Sequence, residues 1–199
     1  MEFQRVSVAV LGHSFVRRAI DDIDQLLDRT ETVAWHDVMK HSGMRFGDAK
    51  FESFLSELSA LNLHHPLIVI CFLGDNDLFP KGSDDYQEKT LPLGAIAHTF
   101  GAQLRRIKEA ANTALVYWIT PAVRKNRPNY NGMLPYISYS MAKYVVKKRW
   151  LHVFSREGRG GSDPSGLCVD GIHPKPCHHD YWITNYISMA IDHYFSTTY

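Results

Sequence analysis

Residues 8–18 read VAVLGHSFVRR, an apolar run that passes through Gly12-His13-Ser14 into a helical pattern. The run from Ser7 to Leu11 is β-rich and stops at Gly12, which marks a buried strand. Beyond it, Val16, Ile20, Ile23 and Leu27 recur at helical spacing, with Asp and Arg on the other face. Ser14 at the junction has two readings. Serine is among the best helix N-cap residues. A serine on a strand-to-helix turn is also where a nucleophile is displayed at a sheet edge, beside the N–H groups of a helix terminus.

The alternation of strand and helix continues outward from this junction. Thr32 to Met39 reads as a weaker extended stretch, and Phe51, Phe54, Leu55 and Leu58 mark a second amphipathic helix. Pro66 to Leu73 (PLIVICFL) is the strongest strand, apolar on both faces as a central parallel strand must be. Leu93, Ile96, Phe100, Leu104 and Ile107 carry a third helix, and Ala114 to Ile119 (ALVYWI) is another buried strand. A helix around Met141 to Lys148, a short strand Leu151 to Phe154 and a last helix through Ile183, Ile187, Ala190 and Ile191 complete the chain. The alternation predicts a three-layer α/β domain with a mostly parallel sheet. Three irregular stretches, Phe79 to Pro92, Pro121 to Tyr136 and Ser155 to Pro176, each follow the C-terminal end of a strand. That is the edge where open parallel sheets bind ligands.

The bulk numbers agree with one globular domain over residues 1–199. Apolar residues at 45% and charged residues at 22% are ordinary for a packed domain of 199 residues. A formal charge of +1 supplies no long-range attraction to nucleic acid or anionic lipid. Three cysteines, Cys71, Cys168 and Cys177, make no disulfide framework, and Cys71 reads as a small core residue. The N-terminal MEFQRVSVAVL has too short an apolar stretch for a signal peptide, and no window reaches the length of a membrane span. The default is an intracellular, cytoplasmic protein.

Two further motifs fall on the same sheet edge as Ser14. Leu73-Gly74-Asp75-Asn76-Asp77-Leu78 follows the central strand directly. Asn76 can aim a neutral amide donor at developing negative charge, as an oxyanion hole requires. Asp77 caps the following segment or fixes the loop. Asp and Asn are also ordinary turn formers, and Asp75 with Asp77 superficially suggests oxygen ligands for a metal. No familiar spacing supplies the remaining ligands, so no metal or cofactor is expected. Val169-Asp170-Gly171-Ile172-His173-Pro174 is the second motif. Asp and His three residues apart around a glycine can fold into one turn, where the carboxylate fixes the imidazole tautomer. Pro174 disfavours helical geometry at His173. The same residues also fit a solvated Asp-Gly turn.

In the order Ser, Asn, Asp, His, these motifs resemble those of the SGNH (GDSL-like) hydrolases, and the resemblance runs from Gly12 to Pro174 and the closing helix. It implies a three-layer α/β/α sandwich with a mostly parallel, flavodoxin-like five-stranded sheet, and a serine hydrolase acting on carboxylic esters: Ser14 as nucleophile, His173 as general base, Asp170 orienting that base, and Asn76 in the oxyanion hole. The remaining family donor is a glycine N–H after the second strand. In His41-Ser42-Gly43-Met44-Arg45-Phe46-Gly47 the better candidate is Gly43, with Gly47 the other. The chain departs from the family at His13, where an Asp is usual. The wording Gly12 to Arg18 is similar to SGNH domains of some animal retroelements, including certain LINE-type elements, although no coiled coil or zinc knuckle accompanies it.

By this resemblance the substrate is a small-molecule ester, acetyl above all, with lipids and acetylated glycans as candidate classes. Phe79, Tyr130, Met133, Leu134 and Tyr136 are the candidate pocket residues. The competing class is a non-catalytic module of the same fold that binds nucleic acid or a protein partner. Arg124, Lys125 and Arg127 before Tyr130, and Lys143, Lys147, Lys148 and Arg149 before Trp150, interleave bases with aromatics as single-strand binders do. A solvated helix face with its flanking loop is the favoured reading of that pattern. His64-His65 reads as closing a helix, and Cys177-His178-His179 as the lead into the last one.

Overall fold

The computed structural model describes residues 4–78, 93–111, 115–124, 128–156 and 173–198. Five parallel strands, β1 (Val6–Gly12), β2 (Val33–Lys40), β3 (Leu67–Phe72), β4 (Leu115–Ile119) and β5 (Leu151–Phe154), form one sheet in the order β2-β1-β3-β4-β5. This is the flavodoxin-like order, with its switch point between β1 and β3. Gly12 pairs in register with Lys40 of β2 and Phe72 of β3, so those three strands end level.

The α-helices among the described residues are α1 (Ser14–Arg18), α2 (Ile20–Arg29), α3 (Ala49–Ala60), α4 (Leu93–Ala111), α5 (Pro128–Val145) and α6 (Asn185–Thr198). Strand side chains alternate between two cores, as period-2 geometry dictates. Ala9, Leu11, Val69, Cys71 and Trp118 pack against Phe51, Phe54, Phe100, Leu104 and Leu134 of α3, α4 and α5. Val8, Val10, Ile70, Phe72 and Tyr117 pack against Phe15 and Val16 of α1, Ile23 of α2, and Tyr186 and Ile187 of α6. Burying each such side chain is worth about 1.5–3 kcal/mol. Two apolar faces on one sheet leave only its edges and its ends for chemistry.

The structure corrects four sequence expectations. The helix read through Val16 to Leu27 is two helices, because the buried Ala19 leaves helical geometry and its N–H bonds back to the Val16 carbonyl at 3.2 Å. Ser14 is the first residue of α1 and His13 is its N-cap, so the serine is not the cap. The stretch read as irregular up to Tyr136 is helical from Pro128, and α5 continues through Pro135. Its buried stripe of Tyr130, Leu134, Ile137 and Met141 outweighs the one hydrogen bond the proline removes. His64 and His65 lie exposed in the loop before β3, beyond the end of α3 at Ala60.

Gly12 is where the first junction is tightest. A Cβ there would lie 2.2 Å from Val16 Cγ2, so only glycine lets α1 fold back this closely on β1.

Candidate active site

At the C-terminal edge of the sheet, the segments leaving β1, β2, β3, β4 and β5 meet. The β1 exit carries His13 and Ser14. The β2 exit is tied beside it, since His41 N–H donates to the Gly12 carbonyl at 3.2 Å. Freed from a capping role, the Ser14 hydroxyl meets His173, whose Nε2 lies 2.8 Å from Ser14 Oγ. Both residues are half-buried, open enough for a substrate to reach them. The ring of Phe15 packs 5.4 Å from that of His173 and braces it from the core side.

His13 faces the same oxygen from inside. Its Nδ1 lies 3.2 Å from Ser14 Oγ and its Nε2 lies 3.0 Å from Asp75 Oδ2. Asp75 itself is fully buried and its two oxygens are taken by protein donors. Oδ1 accepts from Ala122 N–H at 3.1 Å and from the Tyr130 hydroxyl at 3.3 Å. Oδ2 accepts from His13 and from Arg156 Nη2 at 3.2 Å. Burial pushes the Asp75 carboxyl up, but Arg156, His13 and Arg124 together outweigh it and hold the group well below the usual carboxylate range. Arg156 comes from the end of β5 and crosses β4 to get there. Its N–H donates to Thr120 Oγ1 at 2.8 Å and its Nε–H donates to the Thr120 carbonyl. The guanidinium lies over Phe15 and Phe72. A buried carboxylate between an arginine and an imidazole thus joins the exits of β1, β3, β4 and β5.

Its two neighbours turn the other way, toward the loop after β2. Gly74, at φ +122°, lets the chain make this divergence. Asn76 Nδ2 donates to the Met44 carbonyl at 3.1 Å, and Asp77 Oδ1 accepts from Phe46 N–H at 3.0 Å. Burial pushes the Asp77 carboxyl up to about 7, against the lowering effect of Phe46 N–H and Arg45. The loop those two residues hold contains Gly43, exposed and at φ +71°, and Gly47 at φ +72°. Arg17 Nη1 donates to Ser42 Oγ at 2.9 Å and fastens the same loop to α1.

The structure therefore brings Ser14 and His173 into contact, and sets Asn76 and Gly43 on neighbouring loops held together at Met44. Asp170 and Phe79 lie outside the described residues. Of the candidate pocket residues, Tyr130 and Leu134 are core: each is 1% exposed, on the stripe by which α5 packs against the sheet. Met133 is partly buried against that core, and Tyr136 stands on the outer face of α5 at 59% exposure. Arg124 is buried over the Tyr130 ring, and Lys143 and Lys148 lie over Tyr139 and Tyr144. Those three of the seven basic residues lie over aromatic rings of the chain itself. Both Asp75 oxygens serve the protein, and among the described residues no group of three His, Cys, Asp or Glu side chains could hold a metal ion. No helix among them is long and apolar enough to cross a membrane.

What the sequence reading missed is the interior half of the site. In the sequence His13 is only a departure from a motif, Asp75 a turn former or a superficial metal ligand, and Tyr130 a pocket wall, while Arg156 belongs to no motif. The available signal was an arginine two residues beyond an apolar strand, on the edge that already carried an aspartate. Nothing in the spacing says that the two are buried together.

No family model matches the sequence, and no curated protein matches it. Solved structures do match in three dimensions. A lipolytic protein of the G-D-S-L family from Veillonella parvula superposes with a TM-score of 0.65 at 10% identity, over 92% of this chain and 97% of that one. The psychrotrophic esterase EstA from Pseudoalteromonas matches at 0.59 and 16% identity, over 96% and 98%. Est24, a carbohydrate acetylesterase from Sinorhizobium meliloti, matches at 0.55 and 14% identity, over 94% and 100%. The chain has the fold of the GDSL-like, or SGNH, hydrolases.

Proposed function

We propose that the chain is a serine esterase in which Ser14 is the nucleophile and His173 its general base. The observation that carries this reading is the 2.8 Å contact between Ser14 Oγ and His173 Nε2, made across a long sequence separation at a solvent-reachable sheet edge. Ser14 Oγ attacks the ester carbonyl as its proton passes to His173 Nε2. To accept that proton, His173 must carry its own hydrogen on Nδ1, and Asp170, three residues earlier, is the carboxylate assigned to hold it there.

The tetrahedral oxyanion is received by N–H donors. The Ser14 N–H belongs to the first turn of α1 and has no partner within the helix. The Gly43 N–H and the Asn76 amide complete the set. Asn76 spends one amide hydrogen on the Met44 carbonyl, which orients the group and leaves the second for the substrate. Collapse of the intermediate expels the alcohol, protonated by His173, and water then releases the acid by the reverse path.

Small acyl esters, acetyl first, are the assigned substrates. The likeness to a carbohydrate acetylesterase supports that choice, and acetylated glycans and short-chain lipids are the classes to compare. The test is hydrolysis of p-nitrophenyl acetate and of a longer-chain ester by the wild type and Ser14→Ala. Turnover lowered about a thousandfold or more by the substitution is expected. Equal turnover by the two proteins would overturn the proposal.

A further inference from the structure

We propose that His13 is a second general base on Ser14, so that Ser14, His13 and Asp75 form a buried Ser-His-Asp array alongside His173. The inference rests on Ser14 being the nucleophile. Among the described residues, the His13 ring nitrogens have two partners, Ser14 Oγ at 3.2 Å and Asp75 Oδ2 at 3.0 Å. A carboxylate that accepts from Arg156 and Ala122 N–H, with the Tyr130 hydroxyl hydrogen shared between its Oδ1 and the Ala122 carbonyl, has no proton of its own to offer. The hydrogen between His13 Nε2 and Asp75 Oδ2 must then belong to the imidazole. That leaves the lone pair of neutral His13 on Nδ1, the atom facing Ser14 Oγ. Asp75 stands to His13 as an orienting carboxylate stands to the base of a triad: it fixes the tautomer and stabilises the imidazolium.

A capping role does not account for this arrangement. His13 is the N-cap of α1, yet its side chain makes no capping hydrogen bond. The ring is instead committed end to end between a carboxylate and a reactive hydroxyl.

Burial separates the work of the two imidazoles. His13 is 1% exposed and lies behind Ser14, whereas His173 is half-buried and open to solvent. His13 can take the Ser14 proton, but it cannot deliver one to a departing alcohol or activate the water that frees the acyl group. It therefore serves acylation by reagents whose leaving group needs no proton. With a fluorophosphonate and His173 removed, the Ser14 O–H bond breaks and its one proton goes to His13 Nδ1. The Oγ–P bond forms, and fluoride leaves with the P–F electron pair.

The test is the second-order rate of Ser14 labelling by an alkyl fluorophosphonate in wild type, Ser14→Ala, His173→Ala and the double variant His13→Gln/His173→Ala. Glutamine can keep a donor on Asp75 but is no base. His173→Ala is expected to label at least about tenfold faster than the double variant, a modest share of what a general base contributes. The double variant should fall to the Ser14→Ala level. Equal rates for His173→Ala and the double variant would overturn the inference, as would His173→Ala falling to the Ser14→Ala level while the wild type labels. A wild type no faster than Ser14→Ala would instead remove the nucleophile, and the second base with it. Should the glutamine variant lack a cooperative melt, His13→Asn/His173→Ala, whose amide overlays Nδ1, repeats the comparison.

Discussion

Arg156 Nη2 and Asp75 Oδ2 lie 3.2 Å apart with both side chains out of contact with water, and this pair joins the end of β5 to the end of β3 across β4. It sits directly beneath His13 and Ser14. Replacing one partner of such a pair leaves the other buried and uncompensated, at a cost of about 3–5 kcal/mol. Arg156→Met should lower the urea midpoint by an amount corresponding to that range, and Asp75→Asn/Arg156→Met should recover part of it. An Arg156→Met protein as stable as the wild type would show that the pair is not what closes this edge.

Asn76 separates catalysis from stability. Asn76→Ala removes its bond to the Met44 carbonyl, worth about 1 kcal/mol, and with it the amide donor proposed for the oxyanion hole. Hydrolysis of p-nitrophenyl acetate should fall by about 10²–10³ in kcat while the melting temperature drops only a few degrees. Full activity in this variant would restrict the Asn76 amide to holding the loop.

Asp77 makes stability depend on pH in an unusual direction. Its carboxyl is pushed up to about 7 by burial, from an ordinary value of 3.8, and Oδ2 is buried without a hydrogen-bond partner. Between those values the folded chain holds a proton that the unfolded chain has released. The contribution is complete below about pH 4 and is lost as pH rises through 7, at up to about 1.4 kcal/mol per pH unit. Asp77→Asn keeps the acceptor for Phe46 N–H and never ionises. Its melting temperature should exceed that of the wild type increasingly from pH 5 to pH 8. Parallel curves for the two proteins would contradict this.

The strand-helix order was legible because β1, β3 and β4 are near-continuous apolar runs, the mark of strands covered on both faces, while β2, with His36, Asp37 and Lys40, is the weaker one. The meeting of Ser14 and His173 was legible in part, because Ser14 follows β1 directly and His173 stands in a recognisable Asp-Gly-Ile-His-Pro motif. The helix from Pro128 was hidden by Pro128 and Pro135, although the spacing of Tyr130, Leu134, Ile137 and Met141 carried it. The inner half was illegible for a different reason. A buried ion pair such as Asp75–Arg156 is a property of tertiary packing, and its members carry the same letters as solvated turn residues.

The most direct measurement is mass spectrometry of the protein after reaction with an alkyl fluorophosphonate, followed by peptide mapping. One adduct per chain is expected, on the peptide containing Ser14, absent from Ser14→Ala and from wild type unfolded in urea before reaction. An adduct on another residue that persists in Ser14→Ala, or no adduct on the folded wild type, would contradict the assignment of Ser14 as the nucleophile.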